Sequence, residues 1–169
     1  HSTQVALENG ITVKDCLKAV AELRENGVKI PLILMGYINP VLAYGMEKFV
    51  TDAAQAGASG FIIPDMPPSE AKEMTEFCEK SGLDIIFLLP PNSSDERMRV
   101  VTELSRGFVY LVSVLGITGE RGALPVALSG FVDKVRKLTK KPLAVGFGIS
   151  TPDQAAAVGD IADGVIVGS

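Results

Sequence analysis

Two glycine-rich turns near the end of the chain have the composition of a binding site. Residues 146–150 (GFGIS) follow one apolar run, and Gly168 and Ser169 follow the next. Such turns present backbone N–H groups, and a helix that begins beside them adds the positive end of its dipole, so they suit a phosphate. The turns after the seventh and eighth strands of a (β/α)8 barrel often form such a site. The pair therefore predicts this barrel and a phosphorylated small-molecule ligand.

Three other places offer functional groups. A third glycine-rich stretch at 115–122 follows a strand and is long and polar, which predicts a mobile lid or an uninvolved surface loop. Asp65 follows another strand and is the best-placed carboxylate for a general base, but its flanking prolines favour a structural or interface role. Tyr37 and Tyr110 lie on or just past strands, where pocket lining and core packing are equally compatible with the pattern.

Bulk composition excludes several classes of function. The net charge of −4 and the pI near 5.0 argue against nucleic acid or an anionic membrane as the main partner. The single histidine, at position 1, excludes a Ser-His-Asp triad and a histidine-rich metal site. Cys16 and Cys78 lie far apart on the apolar sides of predicted helices, so we expect two small core residues in a reducing compartment.

Helical and strand-like patterns alternate along the chain and predict a parallel α/β fold. The six strand-like apolar runs are residues 30–35, 60–63, 84–88, 108–112, 143–145 and 164–167. Their spacing is typical of a (β/α)8 barrel. Because a barrel needs eight strands, we expect a single partial TIM-barrel domain, residues 1–169, that supplies about strands 3–8. The alternative is a six-stranded open sheet, complete as written.

Three helix starts have capping signals. Thr12 precedes a helix with apolar positions Cys16, Leu17, Val20 and Leu23, which Gly27 is expected to end. Ser93 and Glu96 predict a capping box for a helix through Leu104. Thr151, Pro152 and Gln154 combine a cap, a proline at the first helical position and a glutamine at the third. The remaining helices are marked by the apolar positions Met46, Phe49, Val50, Ala53, Met74, Phe77, Cys78, Leu128, Phe131, Val132, Val135 and Leu138.

Several motifs together resemble one known family. They are GFVYLVS at 107–113, GITG at 116–119, VGFGISTP at 145–152, MGYINP at 35–40, IPDMP at 63–67 and FLLPPN at 87–92. In this order they closely resemble the α subunit of tryptophan synthase, and the opening residues 2–10 also match that family. The resemblance covers essentially all 169 residues. It implies a (β/α)8 barrel that cleaves indole-3-glycerol phosphate to indole and glyceraldehyde 3-phosphate.

The resemblance also implies roles for individual residues. Those expected to hold the glycerol phosphate are Gly119, Gly148, Gly168 and Ser169. Tyr110 would lie beside the substrate, Thr118 on the lid loop and Tyr37 in the pocket wall. The residues expected to face a β subunit are Asn39, Asp65 and Asn92. Val114 departs from the family, many members of which carry arginine there.

The family's catalytic pair is a glutamate at the end of the second strand and an aspartate just after it. Both positions would precede His1, so we assign no catalytic residue here and expect this chain alone to be inactive and poorly folded, with two unclosed sheet edges. The resemblance implies an α2β2 heterotetramer, with pyridoxal phosphate on the β subunit and no cofactor in this chain. The expected compartment is the cytoplasm, or the plastid in a plant.

Two rival functions differ in what they require. A sugar-phosphate isomerase of the same shape would need a carboxylate pair within these six strands, and we find none. A non-catalytic, phosphate-binding barrel chain that activates a pyridoxal-phosphate partner would need no acid or base of its own.

Overall fold

The computed structural model describes residues 5–6, 8–113, 126–146 and 148–168, with Val126 described by its backbone alone. The chain divides into two compact units, His1–Ile85 and Ile86–Ser169. Across the described residues, no helix combines the length and apolar character needed to cross a membrane. The assignment of residues 1–169 to a single domain stays a prediction.

The first unit alternates helices with three short strands. Its elements are α1 (Val13–Glu25), β1 (Ile33–Met35), α2 (Ile38–Tyr44), α3 (Met46–Ala56), β2 (Gly60–Ile62), a 3-10 helix (Pro68–Glu70), α4 (Lys72–Ser81) and β3 (Asp84–Ile86), whose last residue is the first of the second unit. The strands form one sheet in the order β1-β2-β3. β1 and β2 run parallel, with Leu34 opposite Phe61. The core includes Phe61 and Phe49, whose ring centroids are 4.8 Å apart.

The second unit contains a four-stranded sheet. Its elements are β4 (Leu88–Leu89), α5 (Asp95–Leu104), β5 (Val109–Val112), α6 (Val126–Arg136), β6 (Leu143–Gly146), α7 (Pro152–Gly159) and β7 (Gly164–Ile166). The strands lie in the order β4-β5-β6-β7, and every adjacent pair is parallel. On one face of this sheet Val109, Leu111, Leu143 and Val145 are fully buried. Continuous apolar strands of this kind are typical of parallel sheets.

All six predicted strands are present, but one is divided. The run 84–88 forms β3 and β4, which belong to different sheets. Phe87 lies between them, and its N–H donates to the buried hydroxyl of Ser105 at 3.2 Å. The N–H of Phe87 therefore has a side-chain acceptor at the point where the strand is interrupted between β3 and β4.

Two of the three predicted helix caps are confirmed. Thr12 and Asp15 form a capping box at α1, and Thr151 and Gln154 form one at α7. The capping box at Ser93 and Glu96 is wrong, because α5 is capped one residue later, where Ser94 accepts from the N–H of Arg97. With two serines in succession, the helix register that buries Met98 and Val101 selects the second.

The apolar spacing of the helices only partly predicts burial. Cys78 is fully buried, as expected, but Cys16 is exposed, so its assignment to the core is wrong. On α1 the buried side chains are Leu17 and Val20, whereas Leu23 is 43% exposed. Cys16 and Leu23 project to the same edge of the apolar stripe, about 100° or more away from Leu17. The apolar stripe of α1 is therefore wider than the part of the helix surface that other described residues bury.

Candidate functional site

The turn between β6 and α7 has the features expected of an anion-binding turn. Gly148 is exposed and has a φ of 77°, a conformation that suits glycine. The next residue, Ile149, is buried and anchors the turn. Thr151 then accepts from the N–H of Gln154 at 3.3 Å and begins α7. The backbone at Gly148 is thus open to solvent beside the start of a helix.

The second predicted turn follows the adjacent strand. β6 and β7 are parallel neighbours, with Gly146 opposite Ile166, and Gly148 and Gly168 each lie two residues beyond this pair. The two turns therefore leave the carboxyl edge of the sheet side by side, as predicted. Gly168 is exposed. Three other expected phosphate or lid residues, Thr118, Gly119 and Ser169, lie outside the described residues.

Tyr110 lies on β5 and packs against the backbone of β6. A Cβ atom built on Gly146 would lie 2.7 Å from Tyr110 Cζ and 2.9 Å from its Cε1, and closer still to the hydroxyl. Only glycine leaves room for the phenol in this position. Tyr110 is 4% exposed, and burial raises the pKa of its hydroxyl, which keeps it neutral. The tyrosine can thus act as a hydrogen-bonding group and not as an anion.

Ser113 is a residue of this site that sequence reasoning missed. It is buried directly after β5, and both its N–H and its hydroxyl donate to the carbonyl oxygen of Gly146, at 2.8 and 2.9 Å. These bonds join the end of β5 to the start of the glycine-rich turn. Its only sequence signal is its position directly after an apolar strand. Many surface serines occupy the same kind of position.

In the first unit, Asp65 serves as a helix cap. Its Oδ1 accepts from the N–H of Ile38 at 2.9 Å, at the start of α2. The N-cap residue of this helix, Tyr37, makes no side-chain cap of its own. The carboxylate therefore satisfies an N–H that the helix leaves unbonded and interacts favourably with its dipole. This geometry favours the structural interpretation of Asp65 over the catalytic one.

α2 carries two of the predicted site residues. Tyr37 is 54% exposed, and Asn39 is exposed in the first turn. Sequence reasoning missed this seven-residue helix, which contains Pro40. The proline lies in the first turn, where its missing N–H costs no helical hydrogen bond. Asp65 thus holds the segment that presents Tyr37 and Asn39.

Asn92 belongs to the second unit. It is exposed in the connection between β4 and α5, after Pro91. Its exposure is compatible with the predicted contact with a partner chain. Among the residues that the structure describes, no three histidine, cysteine or acidic side chains group in a way that could hold a metal ion.

Comparison with known proteins identifies the family. The family model described as tryptophan synthase alpha chain matches residues 1–169. The tryptophan synthase alpha chain of Dehalococcoides mccartyi is 54% identical over 169 residues, which are 100% of this chain and 66% of the relative. The chain thus spans slightly less than two thirds of the length of this curated relative.

Solved structures that resemble this chain belong to the same family. A tryptophan synthase from Mycobacterium tuberculosis is 42% identical with a TM-score of 0.87, over 98% of this chain and 63% of that chain. A tryptophan synthase complex from Pyrococcus furiosus is 32% identical with a TM-score of 0.83, over 96% of this chain and 65% of that one. The fold is therefore that of a (β/α)8 barrel, of which this chain supplies about strands 3–8, and not an open six-stranded sheet. The chain belongs to the tryptophan synthase alpha chain family.

Proposed function

We propose that residues 1–169 form the phosphate-binding part of a carbon–carbon lyase, the tryptophan synthase α chain. Its substrate would be indole-3-glycerol phosphate and its products indole and glyceraldehyde 3-phosphate, in tryptophan biosynthesis. The observation that carries the proposal is the placement of Gly148 and Gly168 on turns that leave neighbouring parallel strands. Membership of the tryptophan synthase alpha chain family supports the proposed substrate class.

The phosphate would bind at the two turns. The exposed backbone at Gly148 and Gly168 suits an anion, and the N-terminus of α7 adds a favourable dipole. Gly119 and Ser169 would complete the phosphate contacts. Tyr110, neutral and buried next to Gly146, would lie beside the substrate, with Thr118 on a lid and Tyr37 in the pocket wall.

The reaction would be a retro-aldol cleavage. An acid protonates the indole ring at C3, a base removes the proton of the glycerol hydroxyl, and the C–C bond breaks to give indole and an aldehyde. In the family these groups are a glutamate and an aspartate at and after the second strand. We propose that no residue of this chain takes either role, so that the chain contributes binding and orientation.

The partner would be a tryptophan synthase β subunit that carries pyridoxal phosphate, in an α2β2 assembly. Asn39, Asp65 and Asn92 would lie on the face that meets it. For Asn39 the support is its place in the first turn of α2, which Asp65 caps. The compartment would be the cytoplasm, or the plastid in a plant.

A chimera tests the function without relying on the bounds of this chain. Residues 1–169 would replace the segment that they match in the Dehalococcoides mccartyi α chain, and cleavage of indole-3-glycerol phosphate would be compared with the parent. We expect a folded chimera with cleavage within about tenfold of the parent, since the parent's own carboxylates remain. The 169-residue chain alone should show no cleavage.

Two results would contradict this account. A chimera that folds and unfolds like its parent but does not cleave the substrate would exclude the proposed lyase function. If such a chimera still activated a β subunit, the non-catalytic alternative would take its place. Cleavage by the 169-residue chain alone would show that the acid and base had been assigned to the wrong part of the protein.

A further inference from the structure

Gln154, the third residue of α7, makes more contacts than a helix cap requires. Its Oε1 accepts from the N–H of Thr151 at 3.2 Å, which completes the capping box. The same oxygen also accepts from the N–H of Ser150 at 2.8 Å and from the hydroxyl of Ser150 at 3.3 Å. One amide oxygen thus closes the turn that follows Gly148.

The capping box of α1 shows what a cap alone looks like. There Asp15 accepts from the N–H of Thr12 at 2.9 Å and from the hydroxyl of the same residue at 2.5 Å. Both contacts are made to the N-cap residue. At α7 the corresponding side chain reaches one residue further back, into the glycine-rich turn.

These contacts determine which N–H groups the turn can offer to an anion. The N–H groups of Ser150 and Thr151 are bonded to Gln154, so any donor that the glycine-rich turn itself offers to a phosphate comes from the residues before Ser150. Gly148 is exposed there, with a φ of 77°. At the other end, the carbonyl oxygen of Gly146 accepts two hydrogen bonds from Ser113. The turn is therefore held by side chains at both of its ends.

Side chains that fix a binding turn in advance improve affinity because the ligand need not order the backbone itself. A carboxylate at position 154 would accept the same hydrogen bonds and would suit the helix dipole, as Asp15 does at α1. It would also place a negative charge close to a bound phosphate. A neutral amide at this position supports the turn without that repulsion.

We propose that Gln154 is a positioning residue for the phosphate-binding turn. Its amide oxygen engages Ser150 and Thr151 and so directs the backbone at Gly148 toward the phosphate, without touching the ligand itself. This inference rests on the proposed function, since it takes the turn to be the phosphate site. It adds a residue that acts on substrate affinity through the conformation of the turn.

The test measures binding of glycerol 3-phosphate by calorimetry in the chimera, which contains the whole chain, together with its melting temperature. The variants are Gln154→Ala and, as a matched control, Asp15→Ala, which removes the equivalent capping contacts at α1. We expect both to lower the melting temperature by similar amounts. Only Gln154→Ala should weaken glycerol 3-phosphate binding, by about tenfold, the equivalent of one charge-assisted hydrogen bond.

A third variant separates geometry from charge. Gln154→Glu keeps the acceptor oxygen, so its melting temperature should stay close to that of the unchanged chimera. Binding of glycerol 3-phosphate should be weaker at low salt and recover as salt screens the added charge. In cleavage assays Gln154→Ala should raise KM for indole-3-glycerol phosphate more than it lowers kcat, because the interaction is made in ground and transition states alike.

The outcomes distinguish the inference from the function beneath it. If the unchanged chimera does not bind glycerol 3-phosphate, the phosphate site is wrong and the inference fails with it. If it binds, but Gln154→Ala binds equally well or Asp15→Ala weakens binding to the same extent, the site stands and the positioning role of Gln154 is excluded. Unchanged binding by Gln154→Glu at low salt would place the phosphate away from this turn.

Discussion

Two strand ends, one in each unit, use polar groups in opposite ways. After β2, the carboxylate of Asp65 is already engaged as the cap of α2. After β6, side chains engage both ends of the turn, while the exposed glycine between them, Gly148, keeps its backbone toward solvent. A carboxylate at a strand end is therefore not in itself a catalytic signal. The functional difference lies in which groups the local structure has already bonded.

Gly146→Ala should have the largest effect, because its Cβ atom would overlap the ring of Tyr110. We expect a loss of about 1–3 kcal/mol in the free energy of unfolding, together with weaker glycerol 3-phosphate binding. Denaturant titration of the chimera measures the first and calorimetry the second. Adding Tyr110→Leu should restore part of the stability, since it removes the overlapping atoms.

Gly164→Ala provides the control on the neighbouring strand. Its Cβ atom would lie 3.4 Å from Ala144 Cβ, an ordinary contact, so stability should change little. If Gly164→Ala and Gly146→Ala destabilise the protein equally, close packing by Tyr110 is not the reason that position 146 is glycine.

Ser113→Ala should have the next largest effect, since it removes a buried hydroxyl that holds the start of the turn. The expected loss is about 1 kcal/mol of unfolding free energy, with a fall in glycerol 3-phosphate affinity. Ser105→Ala is the control, because Ser105 also bonds a backbone group in the buried core, at Phe87. It should destabilise at least as much, yet leave ligand affinity unchanged; equal affinity losses in both variants would show a general stability effect.

Asp65→Ala tests the other strand end. Loss of the cap at Ile38 should cost about 1 kcal/mol of unfolding free energy, measured by urea titration. Asp65→Asn should restore most of this, since an amide oxygen can still accept. Glycerol 3-phosphate affinity should be unaffected in both variants. A large fall in kcat for Asp65→Asn with stability preserved would instead indicate a chemical role for the carboxylate.

Replacing Asp163 should have the smallest effect on stability. This residue lies just before β7, at the opposite edge of the sheet from both turns. The hydrogen bond from Arg136, and then that from the N–H of Leu143, lower the pKa of its carboxyl below the usual value. Its stabilisation is therefore present above the unfolded pKa of about 3.9 and is lost as pH falls through the lower folded pKa. The group is partly exposed, so solvent and salt reduce the effect.

Asp163→Asn should accordingly reduce stability at neutral pH and flatten the acid side of the stability profile. Thermal melts from neutral pH down to about 2 would show the two proteins converging at low pH. A constant difference at all pH values would attribute the effect to packing and not to charge. Ligand affinity at neutral pH should not change.

Local signals explain what the sequence could predict. The cap at Thr151, the proline after it and the glycines of the turn act within a few residues of one another, so the turn could be identified without a structure. Ser113 could not, because its acceptor, Gly146, lies 33 residues away. For Asp65 the sequence suggested a structural role, but only the structure identified the helix that it caps.

Burial at the edges of the apolar stripes was the other point where prediction failed. Cys16 and Leu17 are adjacent on α1 and fit the same apolar pattern, yet only Leu17 is buried. Spacing predicts which side of a helix is apolar, but the width of the covered face depends on the neighbouring elements. The same limit applies to Leu138, which is 38% exposed after the end of α6.

The most direct test of phosphate binding at the Gly148 turn is to follow the backbone amide resonance of Gly148 while the chimera is titrated with glycerol 3-phosphate. We expect the amide proton and nitrogen signals of Gly148 to shift and saturate with the same midpoint as calorimetric binding, while the signals of Ser150 and Thr151 change less. Binding that saturates without any change at Gly148 would place the phosphate elsewhere and exclude this turn as the phosphate site.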